Sequence, residues 1–210
     1  MSKAIIFTGG GAPSRLPDDL LETGDMVIAA DSGYEAAKAL GIPVSLCLGD
    51  FDSTRLFSEI RHLNHEKSLS DKDESDTELA LRKASSLGFS NYILVGGGGF
   101  RMDHLFSTYS LFDQYGPPSA WYTTYESLFL VGTFHRFEIL NPPQTVSFIP
   151  ASFTKEVRVT AKQLQWPLSH YALSMATISL SNRAESPVLD VFTSGEGKLF
   201  VCFPVADKLS

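Results

Sequence analysis

The sequence predicts an N-terminal α/β domain built on a parallel sheet, followed by a smaller all-β domain of the sandwich or barrel type. Apolar, strand-like runs alternate with helical patterns over about the first 130 residues. After about Gly132 the pattern changes to short runs that are split by Pro, Asn and Gly, which is typical of all-β structure. We therefore expect residues 1–132 to form one domain and residues 133–210 the other.

The strands of the first domain are short and continuously apolar, which indicates a parallel sheet covered on both faces. Four runs have this character: AIIF (4–7), MVIAAD (26–31), VSLCLGD (44–50) and YILVGGGG (92–99). Three helical patterns each end in a glycine that suits a helix C-terminus: YEAAKALG (34–41), SDTELALRKASSLG (75–88) and HLFSTYSLFDQYG (104–116).

The second domain shows alternating or β-branched runs without a helical period. They are HRFEIL (135–140), TVSFIP (145–150), EVRVTA (156–161), ATISLS (176–181), VLDVFTSG (188–195) and KLFVCFP (198–204). In the fourth of these runs, Ser179 and Ser181 alternate with apolar residues. Because side chains alternate along a strand, we expect both hydroxyls on one face.

Composition excludes several classes of protein. The chain has 17 Lys and Arg against 24 Asp and Glu, a net charge of −7, and no basic stripe, so no nucleic-acid partner is expected. No run approaches the ~20 apolar residues of a membrane span, and the N-terminus does not resemble a signal peptide. Cys47 and Cys202 lie in apolar runs and are expected to be buried thiols. We therefore expect a cytoplasmic protein without a membrane partner.

The predicted strand ends bring polar residues to one edge of the parallel sheet, where open α/β sheets bind ligands. These ends are Gly9–Gly11, Asp31–Gly33, Gly49–Asp52 and Gly96–His104. Glycine turns allow backbone N–H groups to approach phosphate oxygens, and Arg101 can add a charge-assisted contact. Each of these features also has a structural explanation. The glycines can form tight turns, and Asp31 or Asp52 can be the N-cap of a helix. His104 can either bind phosphate or cap the helix that follows it.

The run DKDESDTELAL contains five acidic residues within eight positions. Ser75 and Glu78 fit a capping box, and Asp76 suits the first turn of a helix. Capping does not explain Asp71 and Asp73 as well, and so many carboxylates repel one another unless a cation lies among them.

Magnesium is the cation that such a site favours, because it prefers hard oxygen ligands and bridges carboxylates to substrate phosphates. The candidate ligands are Asp50, Asp52, Asp73 and Asp76, with Asp103 as a further carboxylate. No P-loop motif is present, so the phosphates must be bound in another way.

Four motifs together resemble those of the thiamin pyrophosphokinase family. They are LGDFDS (48–53), KDESDTELAL (72–81), GGGGFRMDH (96–104) and WPLSHYALSMATISLSN (166–182). The resemblance implies an enzyme that transfers a pyrophosphoryl group from ATP to the hydroxyl of thiamin, giving thiamin diphosphate and AMP. It further implies Mg²⁺ as cofactor and a homodimer with thiamin near the dimer contact, and the small β domain independently favours a second copy.

The resemblance also implies roles for individual residues. The catalytic and metal-binding set is Asp50, Asp52, Asp73 and Asp76. The nucleotide-binding set, which includes the strand-end residues, is Gly9, Gly10, Asp31, Ser32, Gly33, Gly97, Gly98, Arg101, Asp103 and His104. The thiamin-binding set is Trp166, Ser179, Ser181 and Asn182, with ordinary core packing as the alternative for Trp166.

Three positions depart from the family pattern. Ser32 replaces the first glycine of A-D-G-G, Thr123 and Tyr125 stand where an acid and an asparagine are common, and Met175-Ala176 stand where glycine is common. Two alternatives therefore stay open: another Mg²⁺-dependent nucleotide hydrolase or pyrophosphoryl transferase, or a non-catalytic thiamin or nucleotide sensor. The intact acidic set argues against a sensor, which has no need of a full metal-binding array.

Overall fold

The computed structural model of the protein describes residues 2–68, 74–99 and 101–205. The chain divides into two compact units. The first consists of the residues up to Leu111 together with Pro118–Tyr125, and the second of Phe112–Pro117 together with the residues from Glu126 onward. The predicted division of roles between residues 1–132 and 133–210 stays a prediction.

The first unit is built on a parallel sheet, as the apolar strand runs predicted. Its strands are β1 (Ala4–Phe7), β2 (Met26–Ala30), β3 (Leu46–Gly49), β4 (His65–Lys67), β5 (Tyr92–Val95) and β6 (Ala120–Tyr122). The helices are α1 (Gly33–Ala39), α2 (Phe57–Ile60), α3 (Asp76–Ser86) and α4 (Met102–Tyr115), of which α4 belongs to the first unit only up to Leu111. The parallel strands lie in the order β6-β5-β1-β2-β3-β4, and α1 and α3 pack on the sheet.

The strand order fixes where a ligand can bind. From β1 the chain adds β2, β3 and β4 on one side, and then returns to place β5 and β6 on the other side. The connections that leave β1 and β5 therefore diverge, and a crevice opens between the carboxyl ends of these two strands. The glycine turns that follow β1 and β5 lie at this crevice.

The helix ends agree with the sequence. Ser75 is the N-cap of α3, and its hydroxyl accepts a hydrogen bond from the backbone N of Glu78 at 3.2 Å, as the capping box predicted. Gly88 follows α3 with φ of +88°, a conformation that costs glycine little and other residues more.

The described strands of the second unit pair with one another antiparallel, as expected from their alternating and β-branched runs. One sheet has the order β12 (Ser179–Ala184), β9 (Gln144–Pro150), β14 (Leu199–Pro204) and β7 (Glu126–Val131). The other has the order β11 (Leu168–Leu173), β10 (Val157–Ala161), β13 (Val188–Ser194) and β8 (Phe134–Glu138). Both sheets contribute to one buried cluster, for example through Phe148, Val201, Val159 and Leu189, which is the packing of a sandwich.

The expectation that Ser179 and Ser181 share a face of a regular strand is wrong. The register of β12 against β9 shifts between Ser179 and Asn182, and Ser181 has φ of +52°. Such a bulge breaks the two-residue period of the strand. As a result Asn182 is buried, whereas Leu180 is exposed.

Both cysteines are buried and free of disulfide bonds, as their apolar surroundings predicted. Burial raises the pKa of the Cys47 thiol to about 11 and that of Cys202 to about 12, so neither is a reactive nucleophile. Across residues 2–68, 74–99 and 101–205, no helix is both long enough and apolar enough to cross a membrane.

Candidate functional site

A pocket of about 780 Å³ lies at the carboxyl ends of the strands of the first unit. Among the described residues, five carboxylates line it: Asp31, Asp50, Asp52, Glu74 and Asp76. The glycine turns after β1 and β5 also line it, through Gly9, Gly10, Gly97 and Gly99. The structure thus brings acidic residues and exposed glycine backbone to one place, which is the arrangement that binds phosphates with the help of a cation.

Three of these carboxylates form a tight acidic group. Asp31, Asp50 and Asp52 each offer an oxygen atom, and these oxygens lie within 4.8 Å of one another. Asp31 follows β2 and Asp50 follows β3, and the backbone N of Asp31 donates to the carbonyl of Leu48 at 2.8 Å. The group therefore forms because β2 and β3 are neighbours in the sheet.

The acidic group is not explained by helix capping, which was the alternative for Asp31 and Asp52. The N-cap of α1 is Ser32, and that of α2 is Leu56. The two aspartates are thus held near each other without serving either helix as its N-cap.

Asp31 has the geometry of a residue that is held for a ligand. Its φ of +46° is uncommon for a residue other than glycine. Its Oδ1 atom is buried and has no hydrogen-bond partner among the described residues. The pKa of Asp31 is raised to about 6, chiefly by burial and in smaller part by the charges of Asp76 and Asp50. A buried carboxylate oxygen without a partner, beside two more carboxylates, fits a hard divalent cation.

The raised pKa of Asp31 predicts that this side chain destabilises the metal-free protein at neutral pH. The pKa rises from 3.8 in the unfolded chain to about 6 in the folded protein. The folded protein therefore loses stability relative to the unfolded chain as the pH rises from about 4 to about 6, and the loss is complete above that range. We expect Asp31→Asn to be more stable than the parent chain by up to about 3 kcal/mol at pH 8 in EDTA, and equally stable near pH 4. Thermal denaturation at several pH values measures the difference, and a variant that is less stable at every pH would contradict it.

The loop that carries Asp50 and Asp52 is fixed by its own contacts. The backbone N of Asp52 donates to Asp50 Oδ1 at 3.0 Å, and Ser53 Oγ donates to Asp52 Oδ1 at 2.8 Å. Phe51 has φ of +63°, and its buried ring stacks on Phe57 at 5.4 Å between centroids. A left-handed aromatic residue is strained, so its packing must hold the loop in this conformation.

The glycine turns pack backbone against backbone. The N of Gly97 donates to the carbonyl of Gly9 at 2.8 Å, and a Cβ on Gly99 would lie 2.9 Å from the carbonyl of Gly10. A side chain at these positions would separate the two turns and fill the pocket. The absence of side chains therefore leaves a surface of backbone that phosphate oxygens can approach.

Two predicted nucleotide-binding glycines, Gly33 and Gly98, have a packing reason of their own. A Cβ at Gly33 would lie 2.2 Å from the carbonyl of Phe7, and one at Gly98 would lie 2.3 Å from Cγ2 of Thr123. Neither glycine is among the described residues that line the pocket.

The segment after β5 contributes Arg101 and His104 to the pocket lining. The guanidinium of Arg101 donates to both oxygens of Asp103, at 2.6 and 3.1 Å. This pairing lowers the pKa of Asp103 to about 2. Because both side chains are well exposed, Arg101 can exchange Asp103 for a phosphate at little cost.

The start of α3 supplies the other acidic wall of the pocket. Asp76 is the first residue of the helix and lines the pocket, whereas the predicted ligand Asp73 lies outside the described residues. Two buried threonine hydroxyls, of Thr8 and Thr77, are 2.6 Å apart and link this helix to the end of β1. Sequence reasoning missed Thr8 and Thr77, although Thr8 directly follows a predicted strand, where the other candidates were found.

The predicted thiamin-binding residues lie in the second unit. Trp166 is 57% exposed, which argues against the core-packing alternative. The buried side chain of Asn182 accepts from the backbone N of Trp166 at 3.2 Å and donates to its carbonyl at 2.8 Å. Ser179 is partly buried, and the backbone N of the exposed Ser181 donates to Ser147 Oγ at 3.0 Å. Asn182 therefore fixes the backbone of Trp166 while the indole ring is exposed to solvent.

Comparison with known proteins gives a family match for the first unit. The family model of the thiamin pyrophosphokinase catalytic domain matches residues 17–116, a stretch that contains three of the four sequence motifs. No curated protein sequence matches the chain. The match confirms the resemblance that the motifs predicted, and the family is one of enzymes.

Solved structures with the same fold cover nearly the whole chain. A thiamine pyrophosphokinase from Bacillus subtilis is 20% identical with a TM-score of 0.74, over 97% of this chain and 100% of that one. A thiamin pyrophosphokinase from Geobacillus thermodenitrificans is 22% identical with a TM-score of 0.74, over 100% of both chains. The yeast enzyme is 16% identical with a TM-score of 0.67, over 99% of this chain and 87% of that one. At these identities the likeness shows a shared fold.

Proposed function

We propose that this chain, whose residues 17–116 match the family model of the thiamin pyrophosphokinase catalytic domain, transfers a pyrophosphoryl group from ATP to thiamin. The products are thiamin diphosphate and AMP. The observation that carries the proposal is the meeting of the acidic group with the glycine turns in one pocket. Phosphoryl-type transfer needs positioning and charge neutralisation more than covalent chemistry, and this pocket supplies both.

The glycine turns after β1 and β5 would bind the phosphates of ATP. Gly9, Gly10 and Gly97 line the pocket with backbone, and Arg101 stands at its edge with a guanidinium. Asp31, Ser32 and His104 line the same pocket. Three other predicted nucleotide-binding residues are not among the described residues of the lining: Gly33, Gly98 and Asp103. The two glycines would support the phosphate contacts through close packing, and Asp103 through its pairing with Arg101.

Asp31, Asp50 and Asp52 would hold Mg²⁺. The cation, when bound, neutralises charge on the triphosphate and on the three carboxylates together. Sequence reasoning placed Asp31 with the nucleotide, and its orphaned oxygen beside Asp50 and Asp52 supports a role in metal binding. Asp73 stays a predicted ligand.

The proton of the thiamin hydroxyl would pass to Asp76. This carboxylate lines the pocket but is not part of the acidic group, so it is suited to proton transfer. The hydroxyl oxygen attacks the β-phosphorus of ATP and forms the new P–O bond. The bond between that phosphorus and the oxygen that bridges to the α-phosphorus breaks, and AMP leaves with the bridging oxygen.

Trp166, Ser179, Ser181 and Asn182 would receive thiamin. An exposed indole face can bind the cationic thiazolium or stack on the pyrimidine. The family resemblance adds a homodimer with thiamin near the contact between copies, and two buried reduced thiols fit a cytoplasmic setting.

The test is to incubate the protein with ATP and Mg²⁺, with and without thiamin, and to measure AMP. AMP that appears only with thiamin supports the proposal. Nucleotide cleavage without thiamin indicates a hydrolase or a transferase with another acceptor. Binding of both ligands without turnover indicates a sensor.

We expect Trp166→Ala to raise the KM for thiamin by about 2- to 30-fold, the range of a cation–π contact of about 0.5 to 2 kcal/mol, and to leave the KM for ATP nearly unchanged. Asn182→Ala should act in the same direction because Asn182 holds the backbone of Trp166. Arg183→Ala, a change at the exposed neighbouring side chain, is the control. Equal losses for both substrates would mean that Trp166 supports the fold instead.

A further inference from the structure

The acidic group is assembled from two separate loops, and like charges push these loops apart. Asp31 ends β2, whereas Asp50 and Asp52 belong to the acidic loop, residues 50–55, which follows β3. Without a cation, electrostatic repulsion between the carboxylates opposes the approach of the two loops. The pairing of β2 with β3 brings the two loops together but ends at Ala30 and Leu48, so a contact farther along must set the separation that a metal needs.

Glu35 makes such a contact. It lies in the first turn of α1, the helix that begins two residues after Asp31. Its Oε1 atom accepts a hydrogen bond from the backbone N of Arg55 at 2.7 Å and one from Thr54 Oγ1 at 3.2 Å. Thr54 Oγ1 in turn accepts from the backbone N of Leu56 at 3.2 Å. One carboxylate oxygen thus ties the far end of the acidic loop to the helix that starts beside Asp31.

We propose that Glu35 is a positioning residue for the acidic group, holding Asp50 and Asp52 beside Asp31 before a divalent cation binds. Glu35 is not among the described residues that line the pocket, so it acts through the loop rather than on a ligand. The inference rests on the proposed function in one respect: it takes the acidic group to be a metal site.

The acidic loop needs this support because its conformation is strained. Phe51 lies in the left-handed region at its centre, with its ring held between Phe57 and His65. That packing fixes the middle of the loop, and Glu35 fixes its end. Loss of the second attachment would let the loop relax away from Asp31.

Three substitutions separate the reach of Glu35 from its charge. Glu35→Gln keeps an oxygen at the same distance and removes the charge. Glu35→Asp keeps the charge and withdraws the carboxylate by one methylene, and Glu35→Ala removes both. Lys38→Ala is the matched control, because Lys38 lies on the same helix and pairs with Glu59 rather than with the acidic loop.

The measurement is the binding of Mn²⁺ alone to the full chain, with free Mn²⁺ followed by electron paramagnetic resonance. We expect Glu35→Asp and Glu35→Ala to bind at least about tenfold more weakly than the parent, about 1.4 kcal/mol, the upper end of the usual net contribution of one hydrogen bond. Glu35→Gln should stay within about threefold of the parent, as should Lys38→Ala.

Three other results of the Mn²⁺ binding measurement overturn the proposal. Equal weakening in Glu35→Gln and Glu35→Asp would show that the charge or the fold matters rather than the reach. Unchanged binding in Glu35→Asp, or a parent chain that binds no Mn²⁺, would also overturn it. Melting temperatures in EDTA identify a variant that fails to fold. If Glu35→Ala fails to fold, the comparison of Glu35→Gln with Glu35→Asp still tests the proposal. A parent chain that binds Mn²⁺ but forms no AMP would contradict the proposed function and leave this inference standing.

Discussion

Asp76→Asn is expected to give a folded protein that forms AMP about 100- to 10,000-fold more slowly than the parent chain. Asp76 lines the pocket beside the acidic group, where its carboxylate can take the proton from the acceptor hydroxyl. A positioned base is worth a rate factor of this size. As a first-turn acid alone, Asp76 would contribute no more than about 1 kcal/mol to stability through the helix dipole.

Glu78→Gln is the control for Asp76→Asn. Both acids lie in the first turn of α3, but Glu78 is not among the described residues that line the pocket. Both variants should lose similar stability in thermal denaturation, and Asp76→Asn alone should lose activity. Near-normal AMP formation by Asp76→Asn would mean that Asp76 has no catalytic role and that helix capping alone explains the acids of this segment.

Asp50→Asn is expected to remove the stabilisation that Mg²⁺ and ATP together give, and to lower activity by more than about 100-fold. Loss of a residue that only supports a metal ligand already costs about 10- to 100-fold, so loss of a ligand should cost more. In the parent chain, Mg²⁺ with ATP should raise the melting temperature, and EDTA should abolish the rise.

The metal-free Asp50→Asn variant should be at least as stable as the parent, because one of three mutually repelling carboxylates is gone. Glu22→Gln, which removes an exposed charge in the same unit, should keep the full ligand-dependent rise in melting temperature. A variant of Asp50 that keeps the rise would contradict a shared metal site.

The elements of the fold that have strong local patterns could be predicted. β1, β2, β3 and β5 are continuous apolar runs, and α3 has both its N-cap and its terminal glycine in the sequence. Two of the elements that were missed, β4 and β11, have no such pattern. β4 has three polar residues and is held by backbone pairing with β3, and in β11 three adjacent exposed residues interrupt the alternation.

Several acids of the pocket could be predicted, but the close grouping of Asp31 with Asp50 and Asp52 could not. Asp31, Asp50 and Asp76 were recognised as strand-end or helix-start acids from the sequence. That Asp31 joins Asp50 follows from β2 lying beside β3, and strand order is not written in local patterns. The hydrogen bonds of Glu35 to the acidic loop and of Asn182 to Trp166 could not be predicted for the same reason, since each joins residues that are distant in sequence.

The most direct test of the central claim is ³¹P nuclear magnetic resonance of the products formed from ATP, Mg²⁺ and thiamin. Pyrophosphoryl transfer predicts AMP and thiamin diphosphate in equal amounts, with both transferred phosphorus atoms in the thiamin product. Formation of ADP with thiamin monophosphate, or of AMP with free pyrophosphate and unchanged thiamin, would contradict it.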